Sequence, residues 1–201
     1  MEIEDGGEFA GRDFRNLDCS RLDLSGREFE DCRFVDCNFT EAILARCRFD
    51  ACAFVGCNLS NPTIDHARLI DISFEACKLA GLNFPRCDQA RFDFKIEGCR
   101  LLGCNFSGLS MKRSRFSDCE IEDSHFQDCH LAECDFSGSV FKEMIFHGCD
   151  LRRASFLGAH GYAIDPRNND VTKAVFSVPD VLALVACFDI VIKDAAAGEE
   201  R

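Results

Sequence analysis

Cys32-Arg33-Phe34-Val35-Asp36 is followed at once by Cys37-Asn38-Phe39-Thr40-Glu41. The two stretches are one phrase written twice: a small residue, a polar one, a large apolar one, then two variable positions. The phrase returns as Cys57-Asn58-Leu59-Ser60-Asn61 and, far downstream, as Cys134-Asp135-Phe136-Ser137-Gly138. Stepping by five in both directions from Phe34 gives a series from Phe9 to Phe84 in which 15 of 16 positions are large and apolar, Cys19 being the exception. A two-residue slip follows. A second series then runs from Ile96 to Phe156 with 13 of 13 positions filled, and the two series hold 16 of the 20 Phe. Two residues before these positions lies a slot that takes 13 of the 15 Cys, alternating with Ala42, Ala67, Ser114, Ser124 and Ala154; only Cys19 and Cys187 fall elsewhere.

A period of five is neither the 3.6 of an α-helix nor the 2 of a strand. An extended piece that turns a corner every five residues accounts for it. Residues two apart point the same way, so the small and the large residue both face inward while the one between them faces out. Four such sides close a square coil of about 20 residues, and stacked coils pair like parallel strands ~4.8 Å apart. Each coil then touches only its neighbours. The 29 inward positions, with about two more across the slip, give roughly eight coils and a rod of ~35–40 Å.

The pattern resembles the pentapeptide-repeat family, written A-(D/N)-L-X-X, with Cys in the small slot in the four stretches quoted above. The resemblance covers about 150 residues. It implies an all-β chain folded as a right-handed quadrilateral β-helix.

The organisation expected is a first coil stack over residues 1–84, a register break over 85–95, a second stack over 96–161, and a tail over 162–201. Within the break, Gln89 occupies what would be an inward apolar slot, and Pro85 cannot donate to a ladder. Two readings stand side by side: a two-residue insertion absorbed at a corner, and a projecting loop. The inward pattern ends at Phe156, and a rod must cover its last edge. The tail offers a strand and then Ser177-Val178-Pro179-Asp180, which reads as a helix start with Ser177 as cap and Asp180 at the positive end of the dipole. The short helix Pro179–Cys187 and the residue after it carry Val181, Leu182, Leu184, Val185 and Phe188. One apolar side can cover the last coil, and the other calls for a twofold copy of itself, so these five residues are the expected dimer interface. The final Ala195–Arg201 reads as frayed.

The tail sharpens the resemblance toward the quinolone-resistance (Qnr- and MfpA-like) branch, through Tyr162-Ala163-Ile164-Asp165, Asn169-Asp170-Val171 and Phe176-Ser177-Val178-Pro179. Long loops between coils, found in some plasmid-borne members, are missing from the uninterrupted first register. The branch implies a homodimeric acidic rod that resembles duplex DNA and binds DNA gyrase or topoisomerase IV. A non-enzymatic scaffold for another protein partner is the alternative.

Charge fits a protein partner better than a nucleic acid. The formal net charge is -12, and phosphates would repel it. The sharpest acidic run is Asp118–Asp135, with seven Asp and Glu and no Lys or Arg. Residues 20 apart should be vertical neighbours, which sets Glu122 beside Lys142, Asp135 beside Arg115, Glu133 between Arg113 and Arg153, Glu120 opposite Arg100 and Glu28 opposite Arg48. These are expected ion pairs. Asp123 instead stacks on Glu143, Glu30 on Asp50, Asp118 meets Gly138, and Asp128 lies between Gly108 and Gly148. Opposed like charges destabilise a sheet, so Asp118, Asp123, Asp128 and Glu143 are the candidate topoisomerase-binding residues, with a plain solvated face as the other reading.

No catalytic, cofactor or metal site is expected. The cysteines sit in an interior slot where a free thiol acts as a small apolar residue, and their spacing is not that of structural zinc. Cys119→Ala should then be mild, whereas Cys119→Ser should cost stability by burying a hydroxyl. Cys129 faces inward while His125 and His130 face outward, so a Cys–His nucleophile does not assemble. No apolar run reaches the ~18 residues of a membrane span, and the acidic N-terminus is unlike a signal peptide. A cytoplasmic location is expected.

Overall fold

The computed structural model describes residues 3, 7–88 and 92–193. The chain winds as a four-sided β-solenoid. Strands of three residues at most, such as Arg33–Val35 and Arg48–Asp50, carry one buried residue between two outward ones. Pairing is parallel and in register, with partners 20 residues apart: Phe9 with Phe29, Phe34 with Phe54, Ile121 with Phe141. Across the break the interval becomes 22, as in Lys78 with Arg100 and Phe74 with Ile96. Strands stay short because each side ends in a corner residue with left-handed backbone, for example Asp36 (φ 53), Asp118 (φ 54) and Arg153 (φ 59).

The four faces are named here in chain order. The first starts from Phe9, the second from Phe14, the third from Cys19 and the fourth from Leu24. The second face holds a six-stranded sheet from Asp13–Arg15 to Arg115–Ser117, and the third a five-stranded one from Asn58–Ser60 to Val140–Lys142. Inside, Phe rings stack coil on coil. Phe14, Phe34, Phe54 and Phe74 follow one another at 5.1, 4.8 and 5.2 Å, and Phe116, Phe136, Phe156 and Phe176 at 5.3, 5.0 and 5.1 Å. The second-face column from Phe14 to Phe176 climbs through eight rises of ~4.8 Å, roughly 38 Å.

The break is packed rather than hollow. Phe84 opens a 3₁₀ turn, Phe84–Arg86, and stacks on Phe106 at 4.8 Å. Phe92 and Phe94, which belong to neither pentad series, are both 1% exposed and stack on each other at 4.9 Å. The buried core therefore continues from one register into the next. Gln89 lies outside the described residues.

The inward slot holds the cysteines as expected: all are buried except Cys187, which is half-buried. Burial pushes several of these thiols up, to about 12 for Cys119 and Cys134 and about 11 for Cys104. Cys129, pressed against Cys149, is raised as well and donates to the Phe106 carbonyl at 3.1 Å. Protonated, buried thiols are packing groups.

The expectation for Cys119→Ser needs correction. Ser114, Ser124 and Ser139 occupy the same slot, and their hydroxyls accept from the N–H groups of Phe94 (2.9 Å), Cys104 (3.1 Å) and Cys119 (2.9 Å). Ser139 also donates to the Phe116 carbonyl at 2.6 Å. Cys119 faces the matching carbonyls of Ile96 and Ser117 at 3.5 and 3.2 Å, so a serine there is satisfied on arrival. Cys119→Ser and Cys119→Ala are thus expected to differ by less than ~1 kcal/mol. Their thermal midpoints check this, and a serine variant melting far below the alanine one would contradict it.

The solenoid outlasts its pattern. Beyond Phe156 the 20-residue interval resumes: Asp150 pairs with Asp170, Ser155 with Val175, and Phe156 with Phe176. The steps at Gly161 and Pro166 are not apolar, which hid this coil. Tyr162 and Ile164 are buried in its interior instead, and Asn169 accepts from Cys149 N–H at 2.9 Å while donating to the Phe146 carbonyl at 3.0 Å.

The tail helix differs from expectation in type and cap. It is a 3₁₀ helix, Asp180–Phe188, with Pro179 at the cap position and no side-chain cap. Ser177 is drawn to the last coil, where its hydroxyl accepts from Gly158 N–H at 2.6 Å. Asp180 bonds His160 Nδ1 at 2.9 Å. The terminal Ala195–Arg201 falls outside the described residues.

Candidate protein-binding surface

Outward side chains alternate between compensated rungs and rungs of one sign. Arg100 reaches Glu120 (3.6 Å) and Glu122 (3.4 Å), and Lys142 pairs with Glu120 rather than its register partner Glu122. Arg115 binds Glu97 at 2.6 Å and Asp135 more loosely at 3.9 Å. Glu133 is held by Arg113 (3.1 Å) and Lys112 (3.2 Å), so Arg153 is not its partner. Both cations, Arg113 first, hold its carboxyl below the usual range. Arg48 turns to Asp50 on its own strand at 2.7 Å instead of to Glu28. Long side chains choose the nearest carboxylate, along a strand or across it, and backbone register alone does not decide which.

The four sequence-selected acids are all exposed, but they lie on three different corners. Asp118 is at the corner between the second and third faces. Asp123 follows at the next corner, where its N–H bonds the Lys142 carbonyl at 3.1 Å, one residue from Glu143. Asp128 is at the corner after that. Asp118 and Asp128 also have a packing role that the sequence did not reveal. Their carboxylates fill the space where side chains on Gly138 and Gly148 would begin. Those glycines are left-handed, at φ 70 and 67. Gly138→Ala should therefore cost about 1–2 kcal/mol from strain alone and displace Asp118 as well. Pairing it with Asp118→Ala should recover part of the loss, and a double-mutant cycle by urea unfolding measures the coupling. Strict additivity would show that the contact carries no energy.

The densest uncompensated acids lie at the other end, on the first face. Glu8 pairs in register with Glu28, and Glu30 with Asp50. Among the described residues, Glu8, Glu28, Glu30 and the corner Asp31 have no ion-pair partner. With Arg48 and Asp50, the three Glu line a shallow open depression of about 400 Å³. The 20-residue rule would have found Glu8 over Glu28.

The dimer candidates divide by exposure. Leu184 packs against the core, and Val181 and Val185 are half-buried. Leu182 is 45% and Phe188 52% exposed, and Ile190, Val191 and Ile192 extend the apolar surface beyond the helix. Phe188 lies under the Arg167 guanidinium at 5.7 Å, and Arg167 in turn holds Asp165 down to about 2. Among the described residues no three side chains are grouped to hold a metal ion, and no helix is long and apolar enough to cross a membrane.

Four-sided coils, a five-residue pattern and an interior of stacked Phe define a quadrilateral β-solenoid. The chain belongs to the pentapeptide-repeat family: the model described as "Pentapeptide repeat region" matches residues 27–97, 47–124 and 95–160. The structure is similar to that of full-length QnrB1, a plasmid-mediated fluoroquinolone resistance protein, with a TM-score of 0.53 at 20% identity, covering 91% of this chain and 90% of that one. A trypsin-treated variant of the same protein matches at TM-score 0.53 and 20% identity over 93% and 92% of the two chains. Rfr23 from the cyanobacterium Cyanothece 51142 matches at TM-score 0.41 and 13% identity, over 70% and 95%. At 20% identity the likeness to QnrB1 is one of fold. A search of curated proteins finds no match.

Proposed function

We propose that this chain is a non-enzymatic, acidic, homodimeric rod of the cytoplasm that binds a type II DNA topoisomerase, DNA gyrase or topoisomerase IV, in place of duplex DNA. It thereby protects the enzyme from quinolones or a related toxin. The reading is carried by a rung of like acidic charge, Glu8 with Glu28, with Glu30 beside it on the same strand, all three without an ion-pair partner among the described residues. Such a rung works against stability, so a cationic partner is its natural complement. The net charge of -12 over roughly 38 Å is about one charge per 3 Å, near half the density of duplex DNA. The fold shared with a fluoroquinolone resistance protein supports the choice of partner.

Binding of purified gyrase and topoisomerase IV at two salt concentrations tests the charge. The fourfold change Asp118→Asn, Asp123→Asn, Asp128→Asn, Glu143→Gln should weaken binding. So should Glu8→Gln with Glu28→Gln and Glu30→Gln, while Glu133→Gln, in a compensated pair, should matter less. Added salt should weaken the parent more than the neutralised forms, since exposed charges are screened beyond ~8 Å at physiological ionic strength. Unchanged affinity in both neutralised sets would favour a scaffold that meets its partner through uncharged surface.

A further inference from the structure

The first face changes sign along the rod. In the last coils it and its following corner form a grid of two columns, Lys112, Ala132, Arg152, Thr172 and Arg113, Glu133, Arg153, Lys173. Five of the eight are cations and one is an acid. Glu133 is already taken by Lys112 and Arg113. Arg152 is drawn to Asp150 at 2.7 Å and Asp170 at 3.6 Å. Among the described residues, Arg153 and Lys173 have no ion-pair partner, yet both are exposed left-handed corner residues, at φ 59 and 61. The Arg153 N–H bonds the Thr172 carbonyl at 3.0 Å, which sets the two cations on adjacent rungs. Like charges placed so destabilise the stack, and a glycine or asparagine corner, both suited to left-handed backbone, would avoid the repulsion. Between them and Lys112 the surface dips at Ala132, 9% exposed, into a depression of about 350 Å³ lined by Lys112, Ala132, Glu133, Arg152, Arg153 and Lys173.

We propose that this basic dip is a docking site for a short acidic peptide segment of a partner protein, with Arg153 and Lys173 as its two free anchors. A peptide fits better than a nucleic-acid backbone. The grid spans four rungs, about 14 Å at ~4.8 Å per rung, the length of four or five extended residues. Asp150 and Asp170 border it on the same face, and the rest of the rod is acidic, so a longer polyanion would run into repulsion. The site lies diagonally across the rod from the Asp123–Glu143 corner. A partner using both edges would be held in one rotation about the rod axis. The inference is independent of the identity of the partner that takes the acidic surface.

The test titrates the full chain with a fluorescent octaglutamate peptide at low salt, beside an octalysine peptide and a duplex DNA oligomer of similar charge. The expected result is saturable octaglutamate binding, weakened about tenfold or more by Arg153→Glu with Lys173→Glu, as two exposed charge contacts of up to ~1 kcal/mol each are reversed. Arg153→Gln with Lys173→Gln, which removes the repulsion where the Glu pair only reverses its sign, should melt at or above the parent and give an intermediate loss of binding. Octaglutamate binding that is absent, or equal in parent and double variant, overturns the proposal. Tighter binding of the DNA at the same residues overturns it in favour of a phosphate backbone as ligand.

Discussion

Phe136→Ala is expected to lower stability by about 3–5 kcal/mol. Phe136 is fully buried and lies between Phe116 at 5.3 Å and Phe156 at 5.0 Å, with the edges of Phe126, Phe141 and Phe146 around it. Truncation removes its own burial and two stacked contacts, each adding about 0.5–1.5 kcal/mol beyond area. The walls are hydrogen-bonded on both sides and cannot close over the gap. Phe116→Ala should behave alike. Phe9→Ala, at the end of the column and 7% exposed, should cost less, because only one stacked neighbour, Phe29, is lost. Urea unfolding of the three variants measures the gradient. Equal losses at Phe9 and Phe136 would contradict a stack in which every ring leans on the coil above and below.

Leu182→Asp with Val185→Asp should yield monomers, because each places a carboxylate in an apolar contact without a partner. The exposed Leu182 and Phe188 continue into Ile190, Val191 and Ile192, more apolar surface than the last coil covers. Paired rods would also double the reach of the acidic surface, from roughly 38 Å to about twice that, or some twenty base pairs at 3.4 Å per step. Loss of the dimer is therefore expected to weaken topoisomerase binding even with every surface acid in place. Sedimentation of the parent as a monomer at micromolar concentration would sink this part of the account.

Much of this molecule is written in a five-residue rhythm, and that rhythm predicts what the backbone does. It gives the four sides, the 20-residue register and the inward thiols, because each pentad makes its corner with its own residues. Where the chain departs from the rhythm the sequence is less legible. Phe92 and Phe94 fall between registers, and only their burial shows that the break is closed by packing. The coil at residues 161–176 is disguised by Gly161 and Pro166, although Val171 and Phe176 keep the interval. Surface pairing was the least predictable layer. Lys142 and Arg48 reach acids other than those opposite them, since flexible side chains answer to local geometry. Asp118 and Asp128 gained a packing role because glycine one coil on leaves room for a carboxylate.

The most direct measurement is gyrase supercoiling with and without ciprofloxacin across a titration of the protein. The account predicts that activity in the presence of the drug is restored as the parent protein is added. It also predicts that the fourfold acid-neutralised variant, equally folded, restores far less. Protection that is absent at every concentration, or identical for the parent and the neutralised variant, would contradict the claim that this acidic solenoid acts by standing in for DNA.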